Sequence, residues 1–256
     1  MTDAGRLALR VAYLGGGFSG WQRQAAGRTV QGELERALSA LFATPVRVVG
    51  AGRTDAGVHA DGQVAHFDAP LPIPPAGVAA ALASSLPVGV RVLRVWRAAA
   101  GFDARRDAAG KRYRYRLAWG IRLGPWEALR RWEAPGRLDP APMAAALAAL
   151  VGEHDFAAFA LSGHAGHGAR GTTRTVTRAR LLRRGRRLDV VVEGDGFLRG
   201  MVRRIAGALV EVGRGARDPA WVAALLADAR TRPPAPSAPP HGLTLERVFY
   251  RPPAGG

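Results

Sequence analysis

Val46-Arg47-Val48-Val49-Gly50-Ala51-Gly52-Arg53-Thr54-Asp55-Ala56-Gly57-Val58-His59-Ala60-Asp61-Gly62-Gln63-Val64-Ala65-His66-Phe67 reads as strand, loop, strand. Residues 46–51 are apolar and β-branched, and residues 63–68 alternate, so two strands are expected to hold Asp55 on the loop between them. Working outward, residues 7–13 form a strand with Leu7, Leu9, Val11 and Tyr13 on one face. A glycine-rich turn follows (Gly15, Gly16, Gly17, Gly20). Val30, Leu34, Leu38, Leu41 and Phe42 then share one side of a helix, with Thr29 as its N-cap. Beyond the hairpin, a helix at 75–86 leads into a strand at 90–96. The order is βαββαβ, a ferredoxin-like split unit.

The second half repeats that order without repeating residues. Strands are expected at 111–119, 172–182, 187–193 and 243–250, with helices at 140–151, 198–212 and 219–229. Pro233-Pro234-Ala235-Pro236 cannot continue a helix and reads as an extended connector. The expected fold class is α+β, with two ferredoxin-like halves. Their sheets are largely antiparallel and face a central cleft. The domains are expected at 1–104 and 105–256.

Of 37 basic residues only Lys111 is lysine, and against 20 acidic residues they leave a net charge of +17. Base composition accounts for arginine in place of lysine, but not for the excess of cations. An imbalance of this size fits a nucleic-acid partner. There is no cysteine, so disulfides and thiolate metal sites are excluded and a cytoplasmic location is expected. No N-terminal apolar run resembles a signal peptide, and no apolar stretch is long enough to span a bilayer.

Asp55 is the leading candidate for chemistry, because an ionised carboxylate adds to electrophilic carbon. Arg53 and Arg203 are the cations that would keep it ionised. The bland alternative is an Asp-Ala-Gly turn in which the aspartate caps its own backbone. A metal hydrolase built on Asp55, His59, Asp61 and His66 fits no defensible ligand spacing. His164 and His167, in the glycine-rich loop 162–171, lack acidic or thiolate companions for a metal. That loop reads as a surface turn or as an RNA-contacting flap. In 111–117, Tyr113, Tyr115 and Leu117 share one strand face and Arg112, Arg114 and Arg116 the other. Three like charges in a row call for anions across them, and RNA phosphates are the expected source. Either tyrosine is a base-stacking surface or a core aromatic. Leu198, Met201, Val202, Ile205 and Leu209 form an apolar helix face, with Arg199 and Arg203 one turn apart on its flank.

Gly52-Arg53-Thr54-Asp55-Ala56-Gly57-Val58-His59-Ala60, with Gly62-Gln63-Val64 and His66-Phe67, resembles the signature of the tRNA pseudouridine synthase A family. Five further blocks agree in order. They are Phe18-Ser19-Gly20-Trp21-Gln22; Phe102-Asp103-Ala104-Arg105 with Lys111-Arg112-Tyr113-Arg114-Tyr115; Gly152-Glu153-His154-Asp155-Phe156; Gly196-Phe197-Leu198 with Met201-Val202-Arg203; and Ala238-Pro239-Pro240-His241-Gly242-Leu243. The resemblance implies the pseudouridine synthase fold. It also implies isomerisation of uridine to pseudouridine at positions 38, 39 and 40 of the tRNA anticodon stem-loop, by base flipping, in a homodimer without metal or organic cofactor. It makes Asp55 the catalytic aspartate and Arg203 its partner. Tyr113 would lie against the target uracil, Arg53 would help hold the nucleotide open, and Leu243 would pack in the active site. Two features depart from the family pattern. Leu14 stands where an acidic residue usually follows the tyrosine, and loop 162–171 is rich in glycine and histidine. The rival class is a non-catalytic RNA-binding protein of two sheet modules; it explains the charge but not Asp55. A third reading keeps the chemistry and moves it to another RNA site.

Overall fold

The computed structural model describes residues 4–70, 73–161, 171–228 and 234–251. The expectations for His164 and His167 and for most of loop 162–171 lie outside the described residues. The chain divides into two compact units, 1–109 with 245–256, and 110–244. The sequence-based boundary falls between 104 and 105 and leaves the last strand in the second half.

The first unit follows the βαββαβ order: β1 (Ala4–Tyr13), α1 (Val30–Phe42), β2 (Val49–Gly50), β3 (His59–Pro70), α2 (Pro75–Ser85) and β4 (Val90–Arg97). β1 lies between β4 and β3, antiparallel to both, and β2 pairs antiparallel with β3. Leu7, Leu9, Val11 and Tyr13 are buried as the alternation requires, and Leu34 and Leu38 of α1 are buried with them. The Thr29 hydroxyl accepts from the Gly32 amide and caps α1. β2 is shorter than the expected 46–51 because α1 takes its amides. The Val46 amide donates to Ser39 Oγ, and the Val48 amide to a Glu35 carboxylate oxygen.

The second unit begins within β5 (Ala108–Trp119). It continues through α3 (Pro125–Ala128), β6 (Trp132–Ala134), α4 (Pro140–Ala148), β7 (Gly152–Asp155), β8 (Thr173–Arg184), β9 (Arg187–Gly194), α5 (Met201–Gly213) and α6 (Ala220–Ala227). The sheet order is β5-β9-β8-β7, antiparallel throughout, with β6 parallel to β5. β10 (Leu243–Tyr250) starts in this unit and ends in the first. The α5 face of Leu198, Met201, Val202, Ile205 and Leu209 is buried. The helix starts three residues later than expected, because Gly200 precedes it at φ 74°. Arg199 therefore sits in the lead-in turn and not on the helix flank.

Residues 234–242 form a strap over α5. The Ala238 amide donates to the Arg203 carbonyl, and the Ala238 carbonyl accepts from Arg203 Nε. The Ala235 carbonyl accepts from Arg204 Nη1, and Tyr115 donates its hydroxyl to the Pro239 carbonyl. Gly207 allows the approach, since a Cβ there would stand 2.0 Å from the Pro236 carbonyl oxygen. Among the described residues no helix is long and apolar enough to cross a membrane.

Candidate active site

Asp55 lies half-buried on the loop between β2 and β3, and the loop is pinned on both sides of it. The Gly52 carbonyl accepts from Gln63 Nε2 at 2.8 Å, and the Thr54 carbonyl accepts from the Trp21 amide at 3.1 Å. The Thr54 hydroxyl meets the buried Tyr13 hydroxyl at 2.8 Å. Burial pushes the Tyr13 phenol well above its ordinary range, so it stays a neutral hydrogen-bonding group. The Asp55 carbonyl closes a turn onto the Val58 amide at 3.1 Å, and Gly57 supplies the φ of 79° that the turn needs. The Asp-Ala-Gly turn is therefore real, and a main-chain carbonyl closes it.

Beneath the loop runs the glycine-rich turn 15–20, which the sequence marked only as a turn. A Cβ on Gly15 would fall 2.1 Å from the Val58 carbonyl oxygen. A Cβ on Gly20, itself at φ 98°, would fall 2.7 Å from the Thr54 carbonyl oxygen and 3.2 Å from the Ala56 nitrogen. These glycines let two backbones touch, and the contact fixes the Asp55 segment. The turn forms with an exposed Leu14 in place of an acidic residue, as a 3-10 turn with the Phe18 amide on the Gly15 carbonyl. Arg53 is exposed on the same loop.

The second unit positions Tyr113, Arg203 and Leu243. Tyr113, Tyr115 and Leu117 are buried on one face of β5, as the alternation required. Tyr113 packs edge-on against Phe197 with centroids 5.1 Å apart. Tyr115 belongs to the core: it is fully buried, its phenol is pushed up by that burial against the opposing charge of Arg203, and its ring would collide with any Cβ on Gly242. The strap orients the half-buried Arg203 through Ala238, and Leu243 is buried immediately after it. The sequence marks 233–236 as an extended connector but not its packing over α5 at Gly207; a glycine inside an apolar helix repeat was the signal available.

One expectation changes. The arginine row of β5 is met by protein carboxylates. Arg112 pairs with Glu193 at 3.0 Å, and Arg114 and Arg131 pair with Asp189 at 2.9 Å each. Arg116 donates to the Thr244 hydroxyl at 2.8 Å. Strand β9 thus supplies the anions that the sequence reading sought in RNA. The histidines of the hydrolase alternative are engaged by the backbone. His59 Nδ1 accepts from the Gly15 amide and His66 Nδ1 from the Ala104 amide. Among the described residues no three His, Asp or Glu side chains are grouped to hold a metal.

A family model described as tRNA pseudouridine synthase matches residues 10–98 and 146–251. The tRNA pseudouridine synthase A of Myxococcus xanthus is 44% identical over 252 residues, covering 97% of this chain and 94% of that one. Those of Frankia casuarinae and Solidesulfovibrio magneticus are 46% and 47% identical; they cover 98% and 96% of this chain, and 92% and 91% of their own length. A chain of a solved Cbf5-Nop10-Gar1 complex is similar at 14% identity and a TM-score of 0.34, over 80% of this chain and 45% of that one.

Proposed function

The chain belongs to the tRNA pseudouridine synthase A family and isomerises uridine in tRNA, and we propose that it acts at positions 38, 39 and 40 of the anticodon stem-loop with Asp55 as its catalytic residue. The reaction exchanges the N1–C1′ bond of uridine for a C5–C1′ bond. C5 gives up a proton and N1 ends with one, so atoms balance with no co-reactant. A base inside a stem or loop must first be flipped out to expose that bond. Asp55 then adds to uracil C6 or to the sugar carbon, or assists elimination at the sugar. Each route needs an ionised carboxylate held in one place.

The observation that carries this reading is the clamped loop: Gly52 is held by Gln63, Thr54 by Trp21 and Tyr13, and Gly20 lies against the backbone from Thr54 to Ala56. Rigid display of one carboxylate is what covalent chemistry at a single carbon requires. In the same proposal Arg203 is the cation that pairs with the Asp55 carboxylate and positions it, and Tyr113 is the surface for the flipped uracil. Arg53 keeps the nucleotide open, and Leu243 walls the site against water. The enzyme is taken to work in the cytoplasm as a homodimer.

The test is a pseudouridine map of tRNA incubated with the wild-type protein and with Asp55→Asn. Product confined to positions 38–40 is expected from the wild type. The variant should give none, with tRNA affinity within about threefold, since one neutral isostere removes no phosphate contact. Product from the variant would remove Asp55 from its role. Product at other positions would remove the anticodon assignment.

A further inference from the structure

The second unit carries an open groove of about 1040 Å³ at the far end of β5 from Tyr113. Tyr113 and Trp119 are six residues apart on one strand, a separation of about 20 Å. Arg137, Arg183, Arg186 and Arg214 line the groove, with Trp119 at its wall and Asp139 as the one carboxylate. Asp139 is engaged by its own helix: its side chain accepts from the Ala141 amide and caps α4.

These arginines differ from the row on β5. There, carboxylates of β9 meet the guanidinium groups. Here the fold supplies carbonyls. Arg186 donates to the Gly120 carbonyl at 2.7 Å, and Arg183 donates to the Gly185 carbonyl while its guanidinium lies 6.0 Å from the Trp119 ring centroid. These hydrogen bonds aim the side chains without cancelling their charge. Among the described residues Arg137, Arg183 and Arg186 form no ion pair, and all three are exposed. Of the four, only Arg214 has an acidic partner among the described residues, Glu211 at 3.3 Å, in an exposed pair that contributes little. Gathering four like charges around one concave surface costs repulsion that a bound polyanion removes.

We propose that this groove is a second RNA-binding site, which grips the sugar-phosphate backbone of the tRNA substrate about 20 Å from the uridine-binding surface. That distance rests on the reading of Tyr113 as the surface against the target base. The groove acts on affinity and registration of the RNA, and it takes no part in the chemistry. Its volume exceeds what an isolated inorganic anion needs, and the arginine fork suits phosphate oxygens.

The experiment measures binding and turnover separately for the Arg137→Gln, Arg183→Gln, Arg186→Gln triple variant. tRNA affinity by filter binding should fall at least about tenfold near 50 mM salt. The slope of log K against log salt should become shallower by about 0.7–0.9 for each phosphate that the variant no longer neutralises. Single-turnover pseudouridine formation at saturating enzyme should stay within twofold of wild type, and the corresponding triple Lys variant should restore the salt slope. Unchanged affinity and slope would overturn the proposal. So would normal RNA binding accompanied by a change in oligomeric state in sedimentation, which would make the groove a protein interface. The binding measurement needs no turnover. It therefore decides the groove even if the pseudouridine map were to refute the anticodon assignment.

Discussion

At the scale of single residues, the chemistry depends on groups that perform none of it. Tyr13 and Gly20 are 35 or more positions from Asp55 in sequence, and both bear on Thr54 beside it. Tyr13→Phe deletes a buried hydroxyl and leaves the Thr54 hydroxyl short of a partner, at a cost of about 1–3 kcal/mol. Gly20→Ala does more. The methyl group must push the Thr54 carbonyl away, and the residue must hold a φ of 98° that side chains rarely adopt. A displaced catalytic group loses on the order of 10²-fold per ångström. Gly20→Ala should therefore lower kcat by about that factor and Tyr13→Phe by less, with KM for tRNA within about twofold in both. A rise in KM at constant kcat would assign these residues to RNA binding instead. The sequence announced Asp55 through its motif. It did not announce Tyr13, because the pairing of that hydroxyl depends on β1 and β3 lying in register.

Among the elements, local periodicity was a sound guide wherever packing alone decided. The alternations of Leu7 to Tyr13 and of Tyr113 to Leu117 are buried as written. Periodicity failed where a distant partner intervened. The expected strand 46–51 shrank to two residues because Glu35 and Ser39 captured its amides. The arginine face of β5 found Glu193 and Asp189 on a strand some 75 residues away, a pairing that no local pattern contains. The packing of the 234–242 strap over α5 is the largest such omission, and Gly207 tests it. In an ordinary helix interior, Gly→Ala stabilises by about 1 kcal/mol. At position 207 the added Cβ meets the Pro236 carbonyl at 2.0 Å, so the strap must lift. Forcing a methyl into a packed contact costs about 1–3 kcal/mol. Gly207→Ala should therefore lower the melting temperature where propensity alone would raise it. It should also reduce kcat, because the strap carries the Ala238 carbonyl that orients Arg203 and leads directly into Leu243. A rise in melting temperature would mean that the strap does not press on α5.

On the scale of the whole molecule, a net charge of +17 makes every added proton costly, and His66 marks where the cost begins. Its ring is buried, and Nδ1 accepts the Ala104 amide, which requires an unprotonated nitrogen. Burial, aided by the nearby Arg6 charge, pulls its pKa below the ordinary value, against the opposing pull of Asp103, Asp68 and Asp107. Burial also lowers His241, with the same sign for stability. A histidine that binds its proton more weakly when folded leaves the unfolded chain with the greater uptake. Stability is therefore complete above about pH 6.5 and declines as pH falls through that value. Asp68 titrates elsewhere: its hydrogen bonds from Arg6 hold it below the usual carboxylate range, so its contribution is lost only in stronger acid. The decline between about pH 6.5 and pH 5 thus belongs to the histidines. His66→Asn keeps an acceptor near the Ala104 amide and removes the proton site. The variant should melt below wild type at pH 7.5, where it has lost packing against Phe102, and the gap should narrow by pH 5.5 as wild type alone pays for protonating His66. Parallel melting curves across that range would place the acid sensitivity in other groups.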